Sequence, residues 1–202
     1  MNDSNPTLLD YLRHGQPLGG NRFRGQGIDD PLSDKGWRQM RDTVAALGGW
    51  DRVISSPLQR CVAFSRWLAE QHALPLWIEP DLREVGFGTW EGKTRDQLQA
   101  GQEEEYLAFY RDPVTNRPPG AEPLDAFAAR VVAVYQRLLR SHAGEHLLIV
   151  AHAGVIRATL GHVLQAAPIN WYRTVVDNAA ITRFSDDHQG QKLVAHNWRP
   201  TL

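Results

Sequence analysis

Glu145-His146-Leu147-Leu148-Ile149-Val150-Ala151-His152-Ala153-Gly154 is the stretch that decides the fold. Leu147 to Ala151 is an unbroken apolar run. It is far shorter than the roughly 20 residues a membrane helix needs, and it has the length of a strand buried on both faces. A histidine ends the run, and helical sequence follows from Gly154 to Gln165. The same order, strand then polar turn then helix, recurs upstream. Thr7 to Leu12 is a short apolar strand, followed by a loop rich in Gly, Asp and Pro from Gly15 to Leu32. Ser33 can cap the next helix, Asp34 sits in its first turn, Trp37, Met40, Val44 and Leu47 mark its apolar face, and Gly48-Gly49 ends it. Arg52 to Ile54 is a second strand. Ser56-Pro57 predicts a helix start, with Ser as cap and Pro at the first helical position. Leu58, Cys61, Val62, Ser65, Leu68, Ala69 and His72 give that helix a face at helical spacing, and Pro75 stops it.

Leu76 to Ile78 predicts a third strand, and Asp81 to Gly92 a glycine-rich loop. Thr94 to Arg111 is a weaker helical region, acidic at Glu103, Glu104 and Glu105. Asp112 to Pro123 holds four prolines and is expected to be irregular. A longer helix is expected from about Glu122 to His142, with Phe127, Val131, Val134 and Leu138 on one face. Closing strands are expected at Tyr172 to Val176, Ala179 to Phe184 and Lys192 to His196. Strands alternating with helices argue a three-layer α/β architecture, a mostly parallel sheet with helices on both faces. The stretch 94–125 interrupts that rhythm and reads as a small helical insertion. The expectation is one domain over residues 1–202 with this cap inserted in it.

Composition narrows the function. The 202 residues are 42% hydrophobic and 22% charged, and 22 Lys+Arg against 23 Asp+Glu leave a net charge of −1. That balance argues against a generic nucleic-acid binder, which needs a basic excess to displace counterions. The polar start Met1-Asn2-Asp3-Ser4 lacks the order of a signal peptide, no apolar run spans a bilayer, and a cytoplasmic location is expected. The single cysteine, Cys61, can form neither an internal disulfide nor a multi-cysteine metal site.

Polar residues sit at equivalent strand ends. Arg13-His14-Gly15 follows the first strand, Arg60 lies in the first turn after the second, and His152 follows the central run. In an open α/β sheet, ligands bind beyond the carboxyl ends of the strands. Side chains of a helix lean toward its N-terminus, which brings Arg60 back to the same rim. Any one of these residues alone is an ordinary surface or core side chain. Two arginines, two histidines and helix N-termini on one rim form an anion site suited to phosphate or carboxylate. Other chemistries fit poorly. Cys61 and Arg66 have four intervening residues where a cysteine phosphatase loop has five. Gly86, Gly88 and Gly92 do not make a dinucleotide fingerprint. His142 and His146 flank a helix-to-strand turn without the carboxylate pattern of a zinc site shared with His152.

Four ordered motifs carry a family resemblance. Leu12-Arg13-His14-Gly15-Gln16, Ser55-Ser56-Pro57-Leu58-Gln59-Arg60, Leu82-Arg83-Glu84 through Gly92, and Val150-Ala151-His152-Ala153-Gly154 resemble the hallmarks of the histidine phosphatase superfamily, the phosphoglycerate mutase-like proteins. The resemblance implies a metal-independent phosphomonoesterase without a cofactor. His14 would be the nucleophile, forming a phosphohistidine, with its second ring nitrogen held by a backbone carbonyl. Arg13, Arg60 and His152 would bind the phosphoryl oxygens. Glu84 would protonate the leaving oxygen and then activate water, with Glu91 competing for that role. The partner is a small phosphate monoester. The segment Arg24 to Ser33 with Gly36 to Met40 looks most like the alpha-ribazole phosphatase branch, which implies removal of the 5′-phosphate of alpha-ribazole phosphate in cobalamin biosynthesis. A phosphoglycerate mutase-type phosphotransferase and a broad-specificity sugar-phosphate phosphatase are the alternatives, and the short lid favours hydrolysis. Family members often carry Glu where Gln16 stands and Asn where Gly20 stands, with Asn21 here one residue late. Trp90, Tyr106, Phe109 and Tyr110 could stack on a substrate base or pack the insertion onto the sheet.

Overall fold

Leu147 to Ala151 lies at the centre of a six-stranded sheet, in a computed structural model that describes residues 5–200. Among these residues the elements run β1 (Thr7–Arg13), α1 (Asp34–Ala45), β2 (Arg52–Ser55), α2 (Gln59–His72), β3 (Leu76–Ile78), α3 (Arg95–Gly101), α4 (Glu103–Arg111), α5 (Leu124–Ser141), β4 (His146–Ala151), α6 (Ala153–Val163), β5 (Ile181–Asp187) and β6 (Gly190–Trp198). Short 3-10 turns occupy Pro80–Leu82, Gly88–Trp90 and Pro168–Arg173. The signal-peptide reading of Met1 to Ser4 lies outside the described residues. No helix among them is long and apolar enough to cross a membrane.

The strand order is β3-β2-β4-β1-β5-β6. β1 to β4 are mutually parallel, and β5 and β6 add an antiparallel edge. Side chains on a strand alternate between its faces, and β4 divides accordingly. Leu147, Ile149 and Ala151 pack with Phe127, Val131, Val134 and Leu138 of α5 and with Val155 and Ile156 of α6. Leu148 and Val150 pack with Met40 and Val44 of α1 and with Cys61, Phe64 and Leu68 of α2. The chain therefore has three layers, as expected. The helix after β1 covers one face and the helix after β4 covers the other. Because β1 and β4 are neighbours, the crevice between their carboxyl ends is a topological switch point.

Three expectations need correction. Ser56-Pro57 does not open α2: the helix begins at Gln59 with Leu58 as its cap residue. The Ser56 hydroxyl is engaged 2.7 Å from His152 Nε2, and the amide of Gln59 donates to Asp29 of the preceding loop at 2.7 Å. Second, the Thr94–Arg111 region is two helices, because Thr94 closes a capping box on α3 and the chain turns at Gln102 before α4. Third, Tyr172 to Val176 is not a strand. The Thr174 carbonyl accepts from Arg157 Nε and Nη2, and the Val176 carbonyl accepts from Arg13. These carbonyls bind guanidinium groups in place of a neighbouring strand.

Candidate active site

Strand register sets the site. Arg13 pairs with Ala151, and Ser55 with Val150, so three parallel strands end level. The His14 amide then donates to the Ala151 carbonyl at 3.0 Å, which brings the residue after β1 against the residue before His152. The two imidazoles face each other edge to face, with centroids 5.2 Å apart. A close backbone crossing holds the loop after β1. A Cβ on Gly15 would lie 2.2 Å from the Gly36 carbonyl oxygen, so only glycine permits this approach of the loop to α1.

His14 is buried, and its Nδ1 lies 2.8 Å from the Gly15 carbonyl oxygen. A carbonyl only accepts, so Nδ1 carries the hydrogen and Nε2 holds the lone pair. Burial first, then the charges of Arg13 and Arg60, hold the His14 pKa well below its ordinary 6.5. His152 is fully buried and is depressed in the same way, by burial and then by Arg60, His14 and Arg13. The unliganded site therefore holds two neutral imidazoles among arginine cations.

The arginines are anchored by backbone carbonyls. Arg60 is 1% exposed and donates through Nη1 to Ile28 at 3.0 Å and through Nη2 to Gly25 at 2.9 Å. Burial pulls the Arg13 guanidinium down to about 10, which leaves it charged at neutral pH, and the Glu84 carboxylate opposes that shift. The Nε of each arginine is buried without a partner among the described residues. An unpartnered donor on a buried cation costs free energy, and here the two cations that carry such donors act on both imidazoles.

Glu84 reaches the same rim by a different route. Its Oε1 accepts from the amides of Val85 at 2.9 Å and Gly154 at 3.1 Å, and its Oε2 accepts from Gly154 at 3.2 Å. The carboxylate thus sits against the N-terminus of α6, where the helix dipole favours negative charge. Glu91 is placed differently. It accepts from the amides of Gln26, Gly27 and Phe87, and so fastens the loop 24–28 to the Glu84-bearing loop.

The structure thus brings Arg13, His14, Arg60, Glu84 and His152 together. Asn21 is exposed and makes no side-chain hydrogen bond among the described residues. Cys61 is core: it is fully buried in α2, and burial pushes its thiol up to about 12. His142 and His146 pair with Glu145 and Asp10 at the opposite end of β4, about 20 Å of strand away from His152. Trp90, Tyr106 and Phe109 are buried and pack the insertion against the sheet, and Tyr110 is partly exposed. Two contributors had not been singled out. Buried Arg24 donates to Asp30 and to the Leu18 and Gly20 carbonyls, and its charge adds to the depression of His14. Asn178 Nδ2 donates to the His14 carbonyl at 3.0 Å. Neither follows the carboxyl end of an expected parallel strand, so the rim argument gave no signal for them.

The sequence profile of the histidine phosphatase superfamily (branch 1) matches residues 10–199. The chain belongs to the histidine phosphatase superfamily. It is 33% identical over 181 residues to a bifunctional protein of Mycobacterium tuberculosis, covering 88% of this chain and 50% of the relative. The chain thus spans about half the length of these curated relatives. A metal-independent phosphoserine phosphatase of Arabidopsis thaliana is 30% identical over 172 residues, 82% of this chain and 72% of the relative. An adenosylcobalamin/alpha-ribazole phosphatase of Salmonella typhimurium is 32% identical over 136 residues, 66% of this chain and 67% of the relative. Among solved structures, a mycobacterial glucosyl-3-phosphoglycerate phosphatase superposes with a TM-score of 0.84 at 30% identity, covering 94% of this chain and 98% of the other. The overall fold is thus shared with a solved phosphatase at 30% identity.

Proposed function

We propose that the chain is a single histidine phosphatase domain with a helical cap, and that it hydrolyses a small phosphate monoester without a metal through a phosphohistidine on His14. One observation carries this reading: His14 presents an Nε2 lone pair, fixed by its Gly15 contact, to the charges of Arg13 and Arg60, each of which keeps a buried Nε without a partner among the described residues. The substrate phosphorus is attacked in line by Nε2, and the bond from phosphorus to the ester oxygen breaks. Arg13, Arg60 and His152 hold the non-bridging oxygens, and the arginine charges offset the negative charge of the transferred group. Glu84 takes a proton from the phosphate ester as the substrate monoanion binds and passes it to the departing oxygen. As a carboxylate it then takes a proton from water, whose oxygen attacks phosphorus, and the nitrogen–phosphorus bond breaks to release inorganic phosphate. Glu91 is the poorer candidate for this step, since it fastens the loop 24–28 to the Glu84-bearing loop, whereas Glu84 is the carboxylate whose charge acts on Arg13.

Alpha-ribazole 5′-phosphate is the substrate that the loop Arg24–Ser33 suggested, and the named Salmonella relative supports it. Burial of Trp90, Tyr106 and Phe109 removes the aromatic surface that would have stacked on its base. The named relatives that act on phosphoserine and glucosyl-3-phosphoglycerate support a different leaving group. The test of the shared chemistry is hydrolysis of p-nitrophenyl phosphate in EDTA by the wild-type chain and by His14→Ala. Turnover should vanish in the variant, and acid quenching is not used because phosphohistidine is acid-labile. Rapid alkaline denaturation of wild type with radiolabelled substrate should trap base-stable label. Equal turnover by the two proteins would reject the assignment.

A further inference from the structure

Glu91 carries a carboxylate that none of the steps above uses. Its Oε1 accepts from the amides of Gln26 at 3.1 Å and Phe87 at 2.9 Å, and its Oε2 accepts from the amide of Gly27 at 2.8 Å. Two successive amides of the loop 24–28 thus point at one carboxylate, an arrangement of backbone donors suited to an anion. The approach is close. A Cβ at Gly25 or at Gly27 would strike the Glu91 carboxylate. Gly25 also has φ +53°, a conformation that glycine adopts without strain.

The opposite side of the same backbone faces Arg60. The amide of Gln26 and the carbonyl of Gly25 belong to one peptide group. That group is trans, so its N–H and C=O point in opposite directions. The N–H donates to Glu91, and the C=O accepts from Arg60 Nη2 at 2.9 Å. A rotation of this peptide plane that carries the carbonyl away from Arg60 must also break the bond to Glu91. The Ile28 carbonyl accepts from Arg60 Nη1 at 3.0 Å. Two carbonyls of one short loop therefore set the plane of the buried guanidinium, and with it the direction of its remaining hydrogens. The loop that bears Glu84 has separate support. Its Gly86 amide donates to Glu122 at 3.1 Å, and its Arg83 and Glu84 carbonyls accept from Arg130.

We propose that Glu91 is a positioning residue for phosphate binding, acting through the Gly25–Gln26 peptide on the Arg60 guanidinium. It touches neither the substrate nor the reacting atoms. The role of Arg60 in this inference rests on the phosphatase reading above, and the inference extends that reading to a residue one peptide removed from the guanidinium.

A double-mutant cycle tests it. Glu91→Gln keeps the size of the side chain but turns an NH2 group toward one of the amides. In the folded variant, kcat/KM should fall by about 10-fold, the scale of one charge-assisted hydrogen bond, and to the same extent for p-nitrophenyl phosphate and for an alkyl phosphate. Inorganic phosphate, titrated by calorimetry, should bind about 10-fold more weakly. Arg60→Lys cannot make the fork to the two carbonyls, so Glu91→Gln added to it should cost less than about threefold further. The same loss in both backgrounds would show an action independent of Arg60 and overturn the proposal. So would a loss confined to the alkyl phosphate, which would place Glu91 in the leaving-group step, and so would wild-type phosphate affinity in folded Glu91→Gln. Gly27→Ala displaces the carboxylate with its charge kept, and it carries the same cycle with the same expected losses if Glu91→Gln does not fold. Absence of aryl phosphate hydrolysis in the wild type would instead sink the phosphatase reading, and the phosphate titrations would still decide whether Glu91 acts through Arg60.

Discussion

Gly154→Ala is the substitution that most directly tests the role of Glu84. A Cβ at position 154 would meet Glu84 Oε1 at 2.2 Å, where ordinary contact begins at 3.4 Å, so the carboxylate must retreat by about 1.2 Å. The obstructing atom is the end of a flexible side chain, so the backbone can stay in place and the displacement falls on the carboxylate. Stability should change little. Alanine in place of glycine favours a helix by up to about 1 kcal/mol, and loss of the amide contacts to the carboxylate offsets roughly that amount. Activity should change much more, because a misplacement of about 1 Å at a reacting group can reduce rate roughly 100-fold. The loss should also depend on the leaving group. An alkyl phosphate needs a proton delivered to its oxygen, and p-nitrophenolate leaves without one. We therefore expect kcat for an alkyl phosphate to fall by about 100-fold, and for p-nitrophenyl phosphate by much less. Thermal unfolding should confirm a folded variant. A folded Gly154→Ala chain that turns over alkyl phosphates at the wild-type rate would refute the reasoning that this carboxylate is the acid.

Other perturbations follow from the same geometry. Arg60→Lys loses the fork that binds the Ile28 and Gly25 carbonyls, and kcat/KM should fall by roughly 100-fold; a change under threefold in steady-state assays would argue that Arg60 does not touch the phosphate. His14 and His152 are held neutral by the fold, their values depressed well below 6.5. The unfolded chain binds protons first, so stability is complete above about pH 6.5 and declines as pH falls below it. Denaturant melts at pH 7.5 and 5.5 should show that loss, with a smaller loss in a folded His152→Gln variant; a flat wild-type profile would contradict the burial of neutral imidazoles. Asp10 is fully buried, accepts from Arg183, His146 and Trp50, and titrates at about 2. Asp10→Ala would strand these partners and should cost about 3 kcal/mol or more in urea unfolding, whereas a loss under 1 kcal/mol would show that water replaces the carboxylate.

Much of the architecture was legible because it depends on short-range patterns. Leu147 to Ala151 could only be a strand covered twice, and Ser33 with Gly36 behaves as a helix start should. The strand-end positions of His14 and His152 announced the rim they share. What escaped were features made by distant partners. Ser56 has the sequence signature of a cap, but its hydroxyl is held by an imidazole 96 residues away. Tyr172 to Val176 has strand composition, but its carbonyls bind arginines from β1 and α6. The separate fates of Glu84 and Glu91 were also hidden, because they depend on which loop amides surround each carboxylate. Arg24 sits in a loop whose folding no periodicity describes, so the sequence placed it in a branch-like segment and gave no sign that its charge acts on His14.

The amide of His14 is tied to the carbonyl of Ala151, one rung beyond the ladder that joins β1 and β4. The spacing of the two imidazoles is thus inherited from sheet hydrogen bonding, the stiffest part of the scaffold, while the loop Gly15–Leu32 orients the His14 ring through the Gly15 carbonyl and anchors Arg60 through the Gly25 and Ile28 carbonyls. The inserted helices make none of these hydrogen bonds and can be lengthened, shortened or recomposed with the imidazole pair left in register. Selectivity and chemistry are in this way mechanically decoupled, which lets one sheet serve many leaving groups.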